Sequence, residues 1–265
     1  MKLHITLANP AGNITALVPE REVARERRRQ ISAFLLDDPA LGVEQVGFYD
    51  EDTPPHLQMM GGEFCGNAAR SFGLLLAKKR GMEEGYLDIS VSGSEAPLKV
   101  HISGEDASVH LSTVHSFSRL TLPGQEDLPV VELPGISHVI AENRPATEQA
   151  LAPILGAAKA QLSAPAVGVM FYDVQDRFLR PAVTVWEQGS TVFESSCGSG
   201  SLALALHLKK EMQNGGCSMS VAQPGGRIRV VLQKLKGELL SCKIGGEVAL
   251  EEREIGLSLY GDKGK

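Results

Sequence analysis

Through most of the chain, hydrophobic and polar positions alternate over short stretches. Lys2-Leu3-His4-Ile5-Thr6, Leu87–Val91, Leu98–Ile102, Val109–Leu111, Ala182–Trp186 and Ile228–Leu232 carry the two-residue period of half-buried strands. Two stretches depart from it. Ala68, Ala69, Phe72, Leu74, Leu75 and Leu76 follow Cys65 and run to about Lys79, just before Gly81. Leu202, Ala203, Leu204, Ala205, Leu206 and Leu208 follow Cys197 and run to about Lys210, before Gly215. Lysine in a last turn with glycine beyond it is a helix stop. Both helices are apolar on most faces, so each is expected at the centre of its surroundings.

These two stretches belong to a longer internal repeat. Val46-Gly47-Phe48-Tyr49-Asp50 is echoed by Val169-Met170-Phe171-Tyr172-Asp173, and Glu63-Phe64-Cys65-Gly66-Asn67 by Glu194-Ser195-Ser196-Cys197-Gly198-Ser199. Ile89-Ser90-Val91-Ser92-Gly93 is echoed by Met219-Ser220-Val221-Ala222-Gln223. The offsets are 123 from Phe48 to Phe171, 132 from Cys65 to Cys197 and 130 from Val91 to Val221. A period near half the chain means two similar halves rather than a solenoid. The expected fold is α+β: two pseudo-symmetric domains, each a mixed sheet or barrel around one central helix. The turn-rich Leu122-Pro123-Gly124-Gln125-Glu126-Asp127 stretch suggests halves of 1–122 and 123–265, with the last strand free to return to the first half.

Composition narrows the function classes. The chain has 265 residues, of which 43% are hydrophobic, and a net charge of −6. That balance argues against a nucleic-acid partner. Arg25, Arg27, Arg28 and Arg29 alternate with Glu22 and Glu26, as on a solvated helix face. No apolar run approaches the roughly 20 residues of a membrane span, and the N-terminus lacks the apolar core of a signal peptide. A cytoplasmic protein is expected. Four cysteines make no disulfide scaffold and offer no C-x-x-C pair for zinc. No phosphate loop, dinucleotide fingerprint or motif-borne Schiff-base lysine is present, so no cofactor and no metal are expected.

Cys65 and Cys197 each stand immediately before a buried helix. A helix start carries partial positive charge and unpaired N–H groups, which favour a thiolate and can hold a carboxylate. The glycines at 66, 198 and 200 allow backbone to approach a ligand. Two such halves would present two thiols to one carboxylate. Inverting an α-carbon needs a base on one face and an acid on the other, and a thiolate–thiol pair meets that need. The alternative is that both cysteines are small buried fillers, a weaker reading for two in matched contexts. Cys217 and Cys242 lack the motif and read as structural.

Phe64-Cys65-Gly66-Asn67-Ala68-Ala69-Arg70 and Ser196-Cys197-Gly198-Ser199-Gly200 resemble the two catalytic motifs of the diaminopimelate epimerase family. Asn9-Pro10-Ala11-Gly12-Asn13, Gly135-Ile136-Ser137-His138-Val139 and Gln223-Pro224-Gly225-Gly226 resemble further segments of it. The resemblance implies a cofactor-independent racemase or epimerase with Cys65 and Cys197 as its bases. The backbones of Gly66, Asn67, Gly198 and Ser199 would cradle the substrate carboxylate, with Asn13 near the α-amino group. His138 is a weaker contact, since a lone histidine after a strand is more often structural. Trp186-Glu187-Gln188-Gly189 lacks the family's arginine, the clamp for a second carboxylate, which counts against diaminopimelate. Glu44-Gln45-Val46-Gly47-Phe48, Val167-Gly168-Val169-Met170, Phe178-Leu179-Arg180-Pro181 and Glu194 are more similar to the histidine racemases of metallophore biosynthesis. That likeness implies Glu44 as acceptor for an imidazole N–H, although the same residue also reads as a surface glutamate. A free amino acid is the expected partner, in a possible homodimer. Diaminopimelate or lanthionine-like epimerisation and a non-catalytic amino-acid binding protein remain the alternatives.

Overall fold

The computed structural model describes residues 2–124, 127–187 and 189–256. In chain order the elements are β1 (Lys2–Asn9), β2 (Thr15–Pro19), α1 (Arg28–Asp37), β3 (Gln45–Asp50), β4 (His56–Met59), α2 (Gly66–Lys79), β5 (Glu84–Val91), β6 (Leu98–Ser103) and β7 (Asp106–Leu111). They continue as β8 (Ser116–Thr121), β9 (Asp127–Leu133), β10 (Ile136–Glu142), α3 (Glu148–Gln161), β11 (Ala166–Asp173), β12 (Phe178–Val185), β13 (Ser190–Phe193), α4 (Gly198–Leu208), β14 (Gly215–Gln223), β15 (Gly226–Leu235), β16 (Glu238–Glu247) and β17 (Ala249–Gly256). Two compact units result. One takes the residues up to Ala107 and those from Glu247 onward; the other is Ser108–Gly246.

The first unit is a mixed sheet. β17 pairs antiparallel with β1, β1 antiparallel with β2, and β2 parallel with β3. β3 then pairs antiparallel with β4, β4 parallel with β5 and β5 antiparallel with β6. Parallel neighbours cannot be joined by a tight turn and need a crossover. Here the crossovers are the two helices: α1 joins β2 to β3, and α2 joins β4 to β5. α1 buries only Ile31, Ser32 and Leu35, so it lies on the outside. It covers the cluster of Leu3, Ile5, Ala16, Val18, Val46 and Phe48. α2 is buried at every position from Gly66 to Ala77 and forms the centre.

The second unit repeats this plan. β8–β9 and β9–β10 are antiparallel, β10–β11 parallel, β11–β12 antiparallel, β12–β14 parallel and β14–β15 antiparallel. β13 adds to β12, and β16 to β15. α3 is the outer crossover; Leu151, Ile154, Ala157 and Ala158 pack it on Val130, Val139, Val169 and Phe171. α4 is the central one, buried at Gly198 and from Gly200 to Leu206. The buried Lys234 donates through Nζ to the carbonyls of Lys209 (3.0 Å) and Lys210 (3.3 Å), placing a cation at the end of α4.

Each half is therefore an α+β sheet around a central helix, with an outer helix that the alternation of residues did not announce. The division falls between Ala107 and Ser108 rather than at 122/123. Leu122-Pro123-Gly124 stands at a hairpin, since Thr121 pairs with Asp127 across β8 and β9; Gln125 and Glu126 lie outside the described residues. Turn chemistry serves a hairpin as readily as a linker. The arginine run is a short 3-10 turn, Arg25–Arg27, leading into α1. Arg25, Arg27 and Arg29 are exposed, whereas Arg28 donates to Glu20 at 2.9 Å and lies 5.1 Å from the Phe48 ring centroid.

Candidate active site

The two cysteines occupy the same local structure. Cys65 is the N-cap of α2, with φ −131° and ψ 111°, and its Sγ accepts from the Ala68 N–H at 3.4 Å. Cys197 is the N-cap of α4, with φ −127° and ψ 116°, and its Sγ accepts from the Gly200 N–H at 3.4 Å. In both, the sulfur takes the place of a capping oxygen and meets the positive end of a buried helix. The backbones of Gly66 and Asn67, and of Gly198 and Ser199, form the first turns beside these sulfurs, where N–H groups have no acceptor within the helix.

The surroundings of the two sulfurs differ. Cys197 is 7% exposed, and Cys65 is half-buried. Burial pushes the Cys197 thiol well above its ordinary range, and the nearby Glu194 carboxylate pushes it further; the Ser199 hydroxyl, 3.6 Å away, and the Gly200 N–H pull it back. A closed ring of hydrogen bonds holds this thiol's backbone. The Cys197 N–H donates to Gln223 Oε1 (2.8 Å), Gln223 Nε2 to Ser201 Oγ (2.9 Å), and Ser201 Oγ to the Cys197 carbonyl (2.7 Å).

In the first unit the repeat puts Ala69 and Gly93 where Ser201 and Gln223 stand. Gly93 has φ +72°, and a Cβ there would lie 2.5 Å from the Phe64 nitrogen. The chain before Cys65 is thus held by close backbone approach. Ser92 helps, its hydroxyl donating to the Glu63 carbonyl at 2.9 Å and accepting from the Met59 N–H at 2.9 Å. Burial raises the Glu63 carboxyl above its usual range, partly offset by backbone N–H groups at Glu63 and Gly61.

Asn13 and Glu44 come together at the mouth of the β2–β3 pair, where Thr15 is opposite Gln45. The Asn9 side chain accepts from the Gly12 N–H at 2.6 Å and shapes the turn that presents Asn13. Asn13 Nδ2 donates to Glu44 Oε2 at 2.7 Å, and Asn67 Nδ2 to Asn13 Oδ1 at 3.4 Å. Three residues singled out in the sequence are thereby joined in the first unit. Glu44 is half-buried rather than a plain surface glutamate.

His138 sits inside β10, not after a strand. It is 0% exposed, and neither ring nitrogen has a hydrogen-bond partner. Its ring fills the space that Gly168, opposite it on β11, leaves by lacking a side chain. Burial lowers its pKa to about 3, so it is a neutral core residue away from any solvent-reached surface. Cys242 is likewise buried, its thiol pushed up to about 12, with Sγ donating to the Ser112 carbonyl at 3.3 Å. Among the described residues no cluster of three or more His, Cys, Asp or Glu is placed to hold a metal ion, and no helix is long and apolar enough to cross a membrane.

Residues 2–253 match the family described as the histidine racemase CntK N-terminal domain. A histidine racemase of Fusobacterium nucleatum is 34% identical over 236 residues, covering 85% of this chain and 88% of that protein. One of Staphylococcus aureus is 27% identical over 252 residues, covering 91% and 92%. A predicted epimerase from Pseudomonas aeruginosa shares the fold, with a TM-score of 0.66 at 16% identity over 97% of this chain and all of that one. A hydroxyproline epimerase from Agrobacterium vitis, solved with trans-4-hydroxy-L-proline, does so with a TM-score of 0.64 at 12% identity, over 97% and 94%.

Proposed function

The chain belongs to the histidine racemase family and is an amino-acid racemase, and we propose that it inverts the α-carbon of free histidine with Cys65 and Cys197 as its acid–base pair. The matched N-cap geometry of the two thiols carries this reading. One sulfur, as thiolate, takes the proton from Cα and becomes a thiol. The other gives its S–H proton to the opposite face and becomes a thiolate, so the pair ends with its roles exchanged. The N–H groups of Gly66, Asn67, Gly198 and Ser199 would hold the carboxylate and stabilise the charge that grows on it. Burial and the Glu194 carboxylate favour the protonated form of Cys197.

Glu44 is the proposed contact for the imidazole. A carboxylate there favours a side chain with N–H donors and repels the distal carboxylate of diaminopimelate. By family likeness the proposal extends to a cytoplasmic homodimer whose product serves metallophore assembly.

Free amino acids incubated with the protein in deuterated water, followed by chiral chromatography and mass spectrometry, test the substrate. Histidine should invert and gain one deuterium at Cα. Fast exchange on diaminopimelate with none on histidine would overturn the assignment while leaving the thiol chemistry standing.

A further inference from the structure

Arg70 lies in the second turn of the central helix α2 and is 0% exposed, the largest fully buried side chain of the described residues. Its Nη1 donates to the Glu247 carbonyl at 3.4 Å, and its Nε donates to Asn67 Oδ1 at 3.3 Å. From there the chain of hydrogen bonds runs through Asn67 and Asn13 to Glu44. Asn13 and Asn67 are each 1% exposed, so water cannot readily substitute for these partners.

The polarity of this chain is determined at both ends. A guanidinium has only donors, so Asn67 must turn its oxygen toward Arg70 and its NH2 toward Asn13. Asn13 must then turn its oxygen to Asn67 and its NH2 to Glu44. A carboxylate has only acceptors, so the last link closes without conflict. An amide can normally present either end; here neither can reverse without setting donor against donor or acceptor against acceptor.

We propose that Arg70 is a positioning residue for substrate selection: through Asn67 and Asn13 it fixes where the Glu44 carboxylate stands toward the substrate side chain. The inference rests on the reading that Glu44 receives that side chain. The repeated half offers no equivalent, since Ile136, Val167, Ser199 and Leu202 stand at the corresponding positions.

Two sets of variants test it by kcat/KM for histidine, each checked for folding by thermal melting. In the first, Glu44→Gln should lower kcat/KM about 10- to 100-fold, because the introduced amide must give its oxygen to Asn13 and face the substrate with NH2. Adding Asn13→Asp supplies an acceptor that can take a donor from Asn67 and another from the introduced amide. The amide then turns its oxygen back to the substrate. The double variant should recover at least about fivefold over Glu44→Gln alone. In the second, Arg70→Met should cost about tenfold, more in KM than in kcat, and this loss should vanish in a Glu44→Ala background. No recovery in the Asn13→Asp/Glu44→Gln pair, or an Arg70→Met loss that persists in full beside Glu44→Ala, overturns the relay. If Glu44→Ala alone leaves histidine turnover unchanged, the reading of Glu44 fails first and the relay with it. Should Arg70→Met not fold, Arg70→Gln takes its place in the same comparison: its loss should likewise vanish beside Glu44→Ala, and either no loss at all or one that persists in full overturns the relay.

Discussion

The two halves build the same thiol position by different means. Around Cys197 the support is polar: Gln223 and Ser201 close a ring on the cysteine's own backbone. Around Cys65 the corresponding places hold Gly93 and Ala69, Ser92 ties the Glu63 carbonyl to the Met59 N–H, and a separate polar chain leads away through Asn67 and Asn13 to Glu44. A duplicated fold can thus keep one backbone feature in both copies while the side chains around it diverge. The two N-cap cysteines agree closely in backbone angle, whereas the positions that correspond to Asn13, Glu44, Asn67 and Arg70 hold Ile136, Val167, Ser199 and Leu202.

The largest effect tests what the halves share. Cys65→Ala and Cys197→Ala should each lower racemisation by about a thousandfold or more, the scale of lost acid–base catalysis. The serine variants should retain little, a hydroxyl being a far weaker acid than a thiol. Deuterium uptake at Cα measures both, and full activity in either serine variant would end the two-thiol mechanism.

The next tests a buried group found in one half only. His138 has its pKa lowered to about 3 from 6.5, so as pH falls the unfolded chain takes up the proton first. Folding stability is unaffected above pH 6.5 and drains away between 6.5 and 3. His138→Leu removes this loss. In urea melts the gain of the variant over wild type should grow by about 3 kcal/mol between roughly pH 7.5 and 4.5. An unchanged gap would show that the ring is not a buried neutral imidazole.

Smaller effects separate the two cysteine settings. Gln223→Ala strands the Cys197 N–H in the core and should cost about 2 kcal/mol in chemical denaturation, with lower kcat. Equal stability of variant and wild type would mean the ring contributes nothing. Last, iodoacetamide at about pH 7.5 should label Cys65 at least about tenfold faster than Cys197, because burial keeps the latter protonated. Cys197 labelling should keep rising above the pH at which an ordinary thiol levels off. Site-resolved mass spectrometry reads both, and equal rates in the native protein would contradict the asymmetry.

Much of this was legible in the sequence where the signal is local. The Cys-Gly starts and Lys-Gly stops marked α2 and α4 to within about two residues, a normal margin for helix ends. α3 escaped because Ala, Gly156 and Pro153 dilute its apolar stripe. α1 showed its charged face, while Ile31 and Leu35, which dock it, are too few to announce a period. The relay was hidden for another reason. Its members lie 31 and 54 positions apart, and only the parallel β2–β3 pair and the start of α2 bring them together. Arg70 left one clue, as the single charge in an otherwise apolar stretch.

The pairing of β17 with β1 has a consequence for synthesis. Lys2 lies opposite Gly256, so β1 leaves the ribosome long before the strand that closes its outer ladder. The second unit is continuous from Ser108 to Gly246 and is complete before that strand emerges. Nascent chains should therefore carry a finished second unit while the first still exposes the edge of β1. Bringing together strands some 250 residues apart adds loop-closure entropy that only rises as about (3/2)RT ln n, so the delay is one of timing more than of stability.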